Sequence, residues 1–516
     1  MKLINSLKSR IKEHPTAFFV ITAASAFMMH LLTIGEYPSA WLDEIEIIEM
    51  GRFSVFEVNP AWSVNLMPMA SGQLAPPHPY FHYLSGAVLE MLYRLTGGFI
   101  AGRIAMLLSL PLCALALLTW LRGKSFSVGV SLTVALLFLV DPNATICAHW
   151  YRPDLWCIAM ILSASSLISA SRKAKHQNMM LFAGGALAAT SVFFWITSAL
   201  LIPLVLAEFC IAYRPSVNDE SRASPVAKFS FLALGAIIAA SFALLPIYRH
   251  TADIVAQYLS NSELAHMTTT QANPVSAFLE RTRDFIKIAC RSPFVWLAAA
   301  IGVFASKRNI FHTILFAATT AFILSTRVYH LRMVYLMPYL FLFAAIAMEK
   351  LLSSEKKLAG DLSSLFIAGA LFFGSALSIA ALNYAAWPES NTLSLFTQRL
   401  KEAMPKPAPK VCLLDFEHEC YYAGRSLGWR MYSTSTRTKM LDEPYARFLD
   451  DMDAVVVSSA LTDMTSEHKR VLSAHGFAIS TEIAMPPAAT GRLKSILAGI
   501  FYAHGYPSCE VWTKLH

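Results

Sequence analysis

The sequence predicts an α-helical polytopic membrane protein of about eleven to twelve transmembrane helices, followed by a small C-terminal α/β domain outside the cytoplasm. Three observations carry this expectation. The 516-residue chain is 55% hydrophobic and only 15% charged, with a mean hydropathy of +0.48. Apolar runs of about 17 to 25 residues, the length that crosses a hydrocarbon core as a helix, recur along the first three quarters. From about Glu389 the composition turns polar and short strand-like runs alternate with helical patterns.

The first apolar run, 17–34, follows an N-terminus carrying Lys2, Lys8, Arg10 and Lys12 and shows no small-residue cleavage site, so it reads as a retained span. Further spans are expected at 100–121, 126–146, 153–170, 178–195, 197–213, 227–247, 292–306, 309–326, 332–349 and 361–384. Short basic linkers punctuate them at Arg122/Lys124, Arg172/Lys173/Lys175, Arg214/Arg222/Lys228, Lys307/Arg308 and Lys350/Lys356/Lys357. With these linkers and the N-terminus on the cytoplasmic side the spans alternate without conflict, and the C-terminus lies outside. The segment Tyr80 to Thr96 contains His82, Glu90 and Arg94 and follows Pro76-Pro77-His78-Pro79, so an interfacial or re-entrant helix is expected there in place of a span. The net charge of +8 is accounted for by the linkers, and no nucleic-acid partner is expected.

This topology divides the chain into a transmembrane domain, 1–388, with outer loops at 35–79 and 248–291, and an outer α/β domain, 389–516. Strands are expected at Val411 to Phe416, Ala454 to Ser458, Phe477 to Ile483 and Glu510 to Lys514. Cys412, Cys420 and Cys509 fall in the outer domain, where one disulfide is an option. Internal repeats, a Walker motif, a glycine-rich dinucleotide loop and CxxC pairs are absent from the sequence, which sets aside nucleotide-driven pumps and redox modules.

Three constellations carry chemistry. The first is Trp41-Leu42-Asp43-Glu44-Ile45-Glu46, in a loop with six acidic residues and one Arg. Asp43 sits where a surface helix would begin, either as a base or as a helix cap, and with Glu44 it could bind a divalent metal. The second is Asp141-Pro142-Asn143 with His149-Trp150-Tyr151-Arg152-Pro153-Asp154. Arg152 is a fork-shaped cation able to hold a phosphate, and Asp154 either holds it in place or caps the next helix. The third is the run Arg327 to Pro338, where Arg327, Tyr329, His330 and Arg332 crowd one end of a span at the depth of a lipid phosphate, or anchor that span at the interface. His78, His82, His250 and His266 match no compact zinc spacing.

The order of these features resembles the GT-C superfamily of integral-membrane glycosyltransferases, particularly the aminoarabinose transferase and protein O-mannosyltransferase-like branch. The matching parts are Trp41-Leu42-Asp43-Glu44, Pro76-Pro77-His78-Pro79-Tyr80, Leu95-Thr96-Gly97, Ala101-Gly102-Arg103-Ile104, Leu139-Val140-Asp141-Pro142, Tyr151-Arg152-Pro153-Asp154 and Arg332 to Pro338, over roughly residues 15 to 385. The resemblance implies a polyprenyl-phosphate sugar donor, transfer on the periplasmic face of a bacterial inner membrane, inversion at the anomeric carbon, and a lipid, glycan or protein acceptor. It assigns catalytic roles to Asp43, Glu44 and Asp141, and donor-phosphate binding to Arg332, Arg152, Arg327 and Tyr329. His78, Tyr80 and His330 would line the acceptor cavity. A transporter or flippase, or an O-antigen ligase or polymerase, are the alternatives. The gathering of charged residues at one face and the absence of repeated halves favour surface chemistry over transport.

Overall fold

The computed structural model describes the stretches 15–35, 42–57, 82–149, 152–214, 225–252, 274–305, 310–326, 330–352, 380–387, 390–405, 409–414, 417–433, 449–458, 466–487, 490–501 and 505–514, with isolated residues between them. In chain order the main helices are α1 (Pro15–Leu31), α2 (Leu42–Gly51), α3 (Leu84–Thr96), α4 (Ile100–Gly123), α5 (Val128–Leu139), α6 (Pro142–His149), α7 (Asp154–Ser171), α8 (Gln177–Phe194), α9 (Ile202–Ala212) and α10 (Pro225–Leu244). They continue with α11 (Pro274–Ala289), α12 (Pro293–Ala305), α13 (Ile310–Ser325), α14 (Leu331–Leu351), α15 (Leu393–Ala403), α16 (Glu417–Ser426), α17 (Ser466–Ala474) and α18 (Arg492–Phe501). The strands are β1 (Met67–Pro68), β2 (Leu74–Ala75), β3 (Lys410–Leu414), β4 (Arg430–Ser433), β5 (Ala454–Ser458), β6 (Phe477–Ile483) and β7 (Cys509–Lys514).

The protein is an integral membrane protein. Among the described residues 5 helices are long and apolar enough to cross a membrane, or up to 7 if each of two bent pairs is one span. Those pairs are α5 with α6, bent by 52°, and α11 with α12, bent by 104°. Each bend falls at a proline, Pro142 and Pro293, whose ring and missing N–H favour a new helical start over continuation. The expected continuous span 126–146 is therefore broken at Asp141. Much of the expected span 361–384 lies outside the described residues.

The chain forms two compact units, Met1–Leu32 with Ile104–Ala381, and Thr33–Arg103 with Leu382–His516. The first outer loop thus groups with the C-terminal region, whereas the sequence suggested one cut near 388. In the helical unit α4 packs on α7, α7 on α8, α8 on α10, and α12 on α14. The α8–α10 contact is backbone to backbone. A Cβ added at Gly185 would strike the Leu232 carbonyl, and one at Gly235 the Phe182 carbonyl. Small residues of this kind let membrane helices approach without a hydrophobic driving force between them.

The second unit contains a mixed five-stranded sheet in the order β4-β3-β5-β7-β6. β3 runs parallel to β4 and β5, while β7 is antiparallel to β5 and β6. Every residue of β5 is buried, as its continuous apolar sequence requires of a central strand covered on both faces. The edge strand β6 alternates poorly and carries a register shift between Ile479 and Thr481. Cys412, Leu414, Val455, Val457, Phe477 and Trp512 form the core beneath the sheet. No disulfide joins the cysteines: Cys412 on β3 and Cys509 on β7 are separated by β5, so the optional bridge is not formed.

α3 ends at Gly97, which adopts the left-handed conformation with φ of 71° and returns its N–H to the Tyr93 carbonyl at 2.8 Å. Glycine meets this requirement without a Cβ clash. At 13 residues α3 spans about 20 Å, short of the ~30 Å hydrocarbon core. It crosses α2 through a glycine contact: a Cβ at Gly51 would collide with the Gly86 backbone, and a Cβ at Gly86 with the Ile47 carbonyl. That crossing sets how the carboxylates of the two helices are presented.

Candidate active site

Asp43 is the second residue of α2, so its backbone lies in the first helical turn, where the helix dipole favours a carboxylate. Its side chain is outside the described residues. Glu44, beside it, is buried and committed. Both its oxygens face Arg103, at 3.4 and 3.3 Å, and the Tyr422 hydroxyl donates to Oε1. Arg103 also donates to the Ile34 carbonyl at 3.2 Å, and Phe99 stacks on Tyr422 with ring centroids 4.2 Å apart. Glu44 is therefore an anchor for Arg103, and the expected pairing of Asp43 with Glu44 as two reactive carboxylates loses one member to this ion pair.

A second set of charges closes into a ring around α2, α3 and α16. Arg52 donates to Glu49 at 3.1 Å and approaches Glu57 at 3.8 Å; Arg94 bonds Glu57 at 2.5 Å and Glu90 at 2.7 Å. Arg425 meets Glu90 with two nitrogens, at 2.7 and 3.1 Å, and donates to the Tyr421 hydroxyl at 3.3 Å. That hydroxyl in turn donates to Glu49 at 2.6 Å. Arginine planes also cover aromatic rings, Arg52 over Trp62 at 3.7 Å and Arg425 over Tyr93 at 3.8 Å. Burial raises the pKa of Glu49 despite Arg52 and the Tyr421 hydroxyl, and raises those of Tyr421 and, more modestly, Tyr93.

The helical unit brings together residues that the sequence placed apart. Asp141, at the break between α5 and α6, accepts N–H bonds from Asn143 at 2.9 Å and Ala144 at 3.2 Å, and a hydroxyl bond from Ser292 at 2.5 Å. Asn143 donates to the Ser292 hydroxyl at 3.3 Å. Ser292 lies at the other helix break, so one carboxylate ties both broken spans at their bends. Asp141 acts here as cap and tie, and its expected role as a second reactive acid shares the residue with that work.

Arg152 is also held in place. Its Nε donates to Asp154 at 2.8 Å, the Tyr335 hydroxyl donates to the other Asp154 oxygen at 2.9 Å, and the guanidinium lies over Trp195 at 4.7 Å. Of the cations named from sequence, Arg332 lines a cavity of about 470 Å³ and Arg152 is not among the residues lining it. The cavity wall is otherwise apolar except for two threonines, with Ile196, Leu200 and Pro203 on one side and Leu315 and Phe322 on the other. His78, Tyr80, Arg327 and Tyr329 lie outside the described residues. His330 opens the helical turn before Arg332, and its side chain is not described.

The sequence places Arg103 in the Ala101-Gly102-Arg103-Ile104 motif without marking its partner, and no local pattern marks Tyr421, Tyr422 or Arg425. The signal for Arg103 was an arginine in the first turn of an apolar span, a placement that demands a counter-charge. Among the described residues no group of three or more His, Cys, Asp or Glu is placed to hold a metal ion.

No protein-family model matches the chain, and no curated protein resembles it in sequence. Solved structures do. The chain aligns with ArnT from Cupriavidus metallidurans, in a crystal structure bound to undecaprenyl phosphate, over 96% of its own length and 98% of that chain, with a TM-score of 0.55 and 12% identity. The chain has the GT-C fold. The arabinofuranosyltransferase AftD from Mycobacteria shares it, at a TM-score of 0.53 and 14% identity over 97% of this chain and 41% of that one. The Archaeoglobus fulgidus oligosaccharyltransferase, in a complex with Zn and sulfate, aligns over 87% of this chain and 69% of that one at 12% identity, with a TM-score of 0.46. The GT-C fold agrees with the architecture expected from the sequence, helices with a small C-terminal sheet domain.

Proposed function

We propose that the protein is a glycosyltransferase that moves a sugar from a polyprenyl-phosphate-linked donor to an acceptor on the periplasmic face of a bacterial inner membrane, with inversion. The observation that carries this reading is the apolar cavity of about 470 Å³ that has Arg332 in its wall. A polyprenyl chain needs apolar walls and its phosphate needs a cation at the end, and a guanidinium fork matches phosphate oxygens in pairs. The undecaprenyl phosphate bound to ArnT, which shares the fold, supports the same lipid class.

In the proposed reaction an acceptor hydroxyl attacks the anomeric carbon from the face opposite the phosphate. Its proton passes to Asp43, the new C–O bond forms, and the bond to the phosphate oxygen breaks with its electron pair leaving on the lipid phosphate. Arg332 neutralises the charge that develops there, which is where electrostatic stabilisation counts most. Arg152, paired with Asp154 and lying over Trp195, is given no direct contact with the donor phosphate in this reading. The acceptor is a lipid, a glycan or a protein hydroxyl.

Transfer of radiolabelled sugar from a panel of polyprenyl-phosphate donors, in membranes containing wild type or Asp43→Asn at matched expression, tests this. Transfer by wild type that collapses in Asp43→Asn is the expected result. Equal transfer by both removes Asp43 as base.

A second reading, a lipid or sugar transporter, draws on the two broken spans tied together by Asp141 and Ser292, a construction that transporters use at substrate sites. It moves ahead if wild type transfers sugar from no donor and instead exchanges labelled lipid-linked sugar across proteoliposomes.

A further inference from the structure

Each buried carboxylate of α2 and α3 is held twice, once by an arginine from its own part of the chain and once by a residue of α16. Glu44 has Arg103 and the Tyr422 hydroxyl; Glu49 has Arg52 and the Tyr421 hydroxyl; Glu90 has Arg94 and Arg425. All three carboxylates are fully removed from solvent, at 1%, 1% and 0% exposure. An apolar contact between α16 and this pair of helices would give cohesion with tolerance for sliding. Three directional, charge-assisted contacts on carboxylates fix both register and rotation instead.

We infer that the C-terminal domain is a positioning element for the reaction, in which Tyr421, Tyr422 and Arg425 of α16 hold α2 and so fix the backbone that carries Asp43. This rests on the reading of Asp43 as the acceptor's base. Asp43 is one residue from Glu44, so the Glu44–Tyr422 bond fixes the backbone next to it. A displacement of about 1 Å at a reacting group costs on the order of a hundredfold in rate. Tyr421, Tyr422 and Arg425 are thus positioning residues that act through α2. Arg332, the proposed donor-phosphate residue, lies in the helical unit, so donor binding is expected to be independent of them.

The test uses the full-length protein in lipid nanodiscs, as wild type, Tyr422→Phe, Arg425→Gln and Arg425→Lys. Four quantities are read: hydrogen–deuterium exchange of 42–51, kcat and KM for a lipid-linked sugar, and the Kd for undecaprenyl phosphate. Tyr422→Phe keeps the ring that stacks on Phe99 and removes only the hydroxyl, so it isolates one clamp contact without emptying the core. The expected result for Arg425→Gln is faster exchange in 42–51 with Asp154–Ser171 unchanged, kcat lowered tenfold or more, and Kd within twofold of wild type. Arg425→Lys should recover part of both losses.

Exchange in 42–51 unchanged in Arg425→Gln and Tyr422→Phe overturns the inference. So does loss of protection spread equally over Asp154–Ser171, which would make the contacts general stability. If wild type transfers no sugar, the glycosyltransferase reading fails while the exchange readout still decides whether α16 orders α2. If wild type transfers sugar and both variants match its kcat, the transferase reading stands and the positioning role falls.

Discussion

The cation at the groove is where the proposed donor site can be weighed most directly. A polyprenyl tail that enters the cavity leaves lipid hydrocarbon for protein hydrocarbon, so its burial against Ile196, Leu200, Leu315 and Phe322 contributes little compared with the same transfer from water. Net affinity must then come largely from the head. A hydrogen bond to a charged group contributes about 1.5 to 3 kcal/mol, and each ~1.4 kcal/mol is a factor of ten in affinity. Arg332→Ala should therefore raise the Kd for undecaprenyl phosphate by roughly tenfold to a hundredfold. Arg332→Lys keeps the charge and loses the planar fork, so it should fall between the two. Titration of fluorescent undecaprenyl phosphate into nanodisc-embedded protein reads this, with undecaprenol as the uncharged control, whose weak binding should not change among the three proteins. Equal phosphate Kd values in wild type, Ala and Lys forms would refute the assignment of Arg332, and undecaprenol binding as tightly as its phosphate would refute the argument that the head group dominates.

Glu44→Gln should leave Arg103 buried without its counter-charge and destabilise that unit by about 3 to 5 kcal/mol, seen as faster limited proteolysis within 42–103. Replacing Gly86 by Val should force α2 and α3 apart, costing at least about 1 to 3 kcal/mol by overpacking and lowering the detergent-stable fraction in gel filtration; Gly98→Ala, in open space, should not. Because burial raises the pKa of Glu49 above its ordinary value of 4.5, the folded state holds that proton more tightly than the unfolded chain. Stability should then fall as pH rises from 4.5 through the raised pKa, and Glu49→Gln should flatten this part of the profile in thermal scans against pH. Ser292→Ala should loosen the tie between the two broken spans by about 1 kcal/mol or more, read as faster hydrogen exchange at 141–149.

Four of the five strands of the C-terminal sheet were legible in the sequence nearly to the residue. Val411 to Phe416, Ala454 to Ser458, Phe477 to Ile483 and Glu510 to Lys514 correspond to β3, β5, β6 and β7, because strand pattern is a local property of four to seven residues. β4 was missed: Arg430–Ser433 has too short a pattern to stand out and becomes a strand by pairing with β3. The helix Leu84–Thr96 was legible as something other than a full span, since Glu90 and Arg94 interrupt its hydropathy.

Of the site, residue types and their order were legible, and the pairings were not. Arg152 looks the same in sequence whether it awaits a phosphate or already holds Asp154. Glu44 looks as reactive as Asp43 until Arg103 and Tyr422, 59 and 378 positions away, are brought to it.

The sequence by itself determined that the chain spans a membrane and ends in a small sheet domain, because a helix in lipid satisfies its backbone within its own segment and so writes its requirements into a contiguous apolar run. The tertiary structure alone decided that Asp141 and Ser292 join two broken spans and that α16 closes the ring of charges on α2 and α3. Those contacts link groups hundreds of residues apart, and a buried charge finds its partner only when the packed chain brings one within about 3 Å.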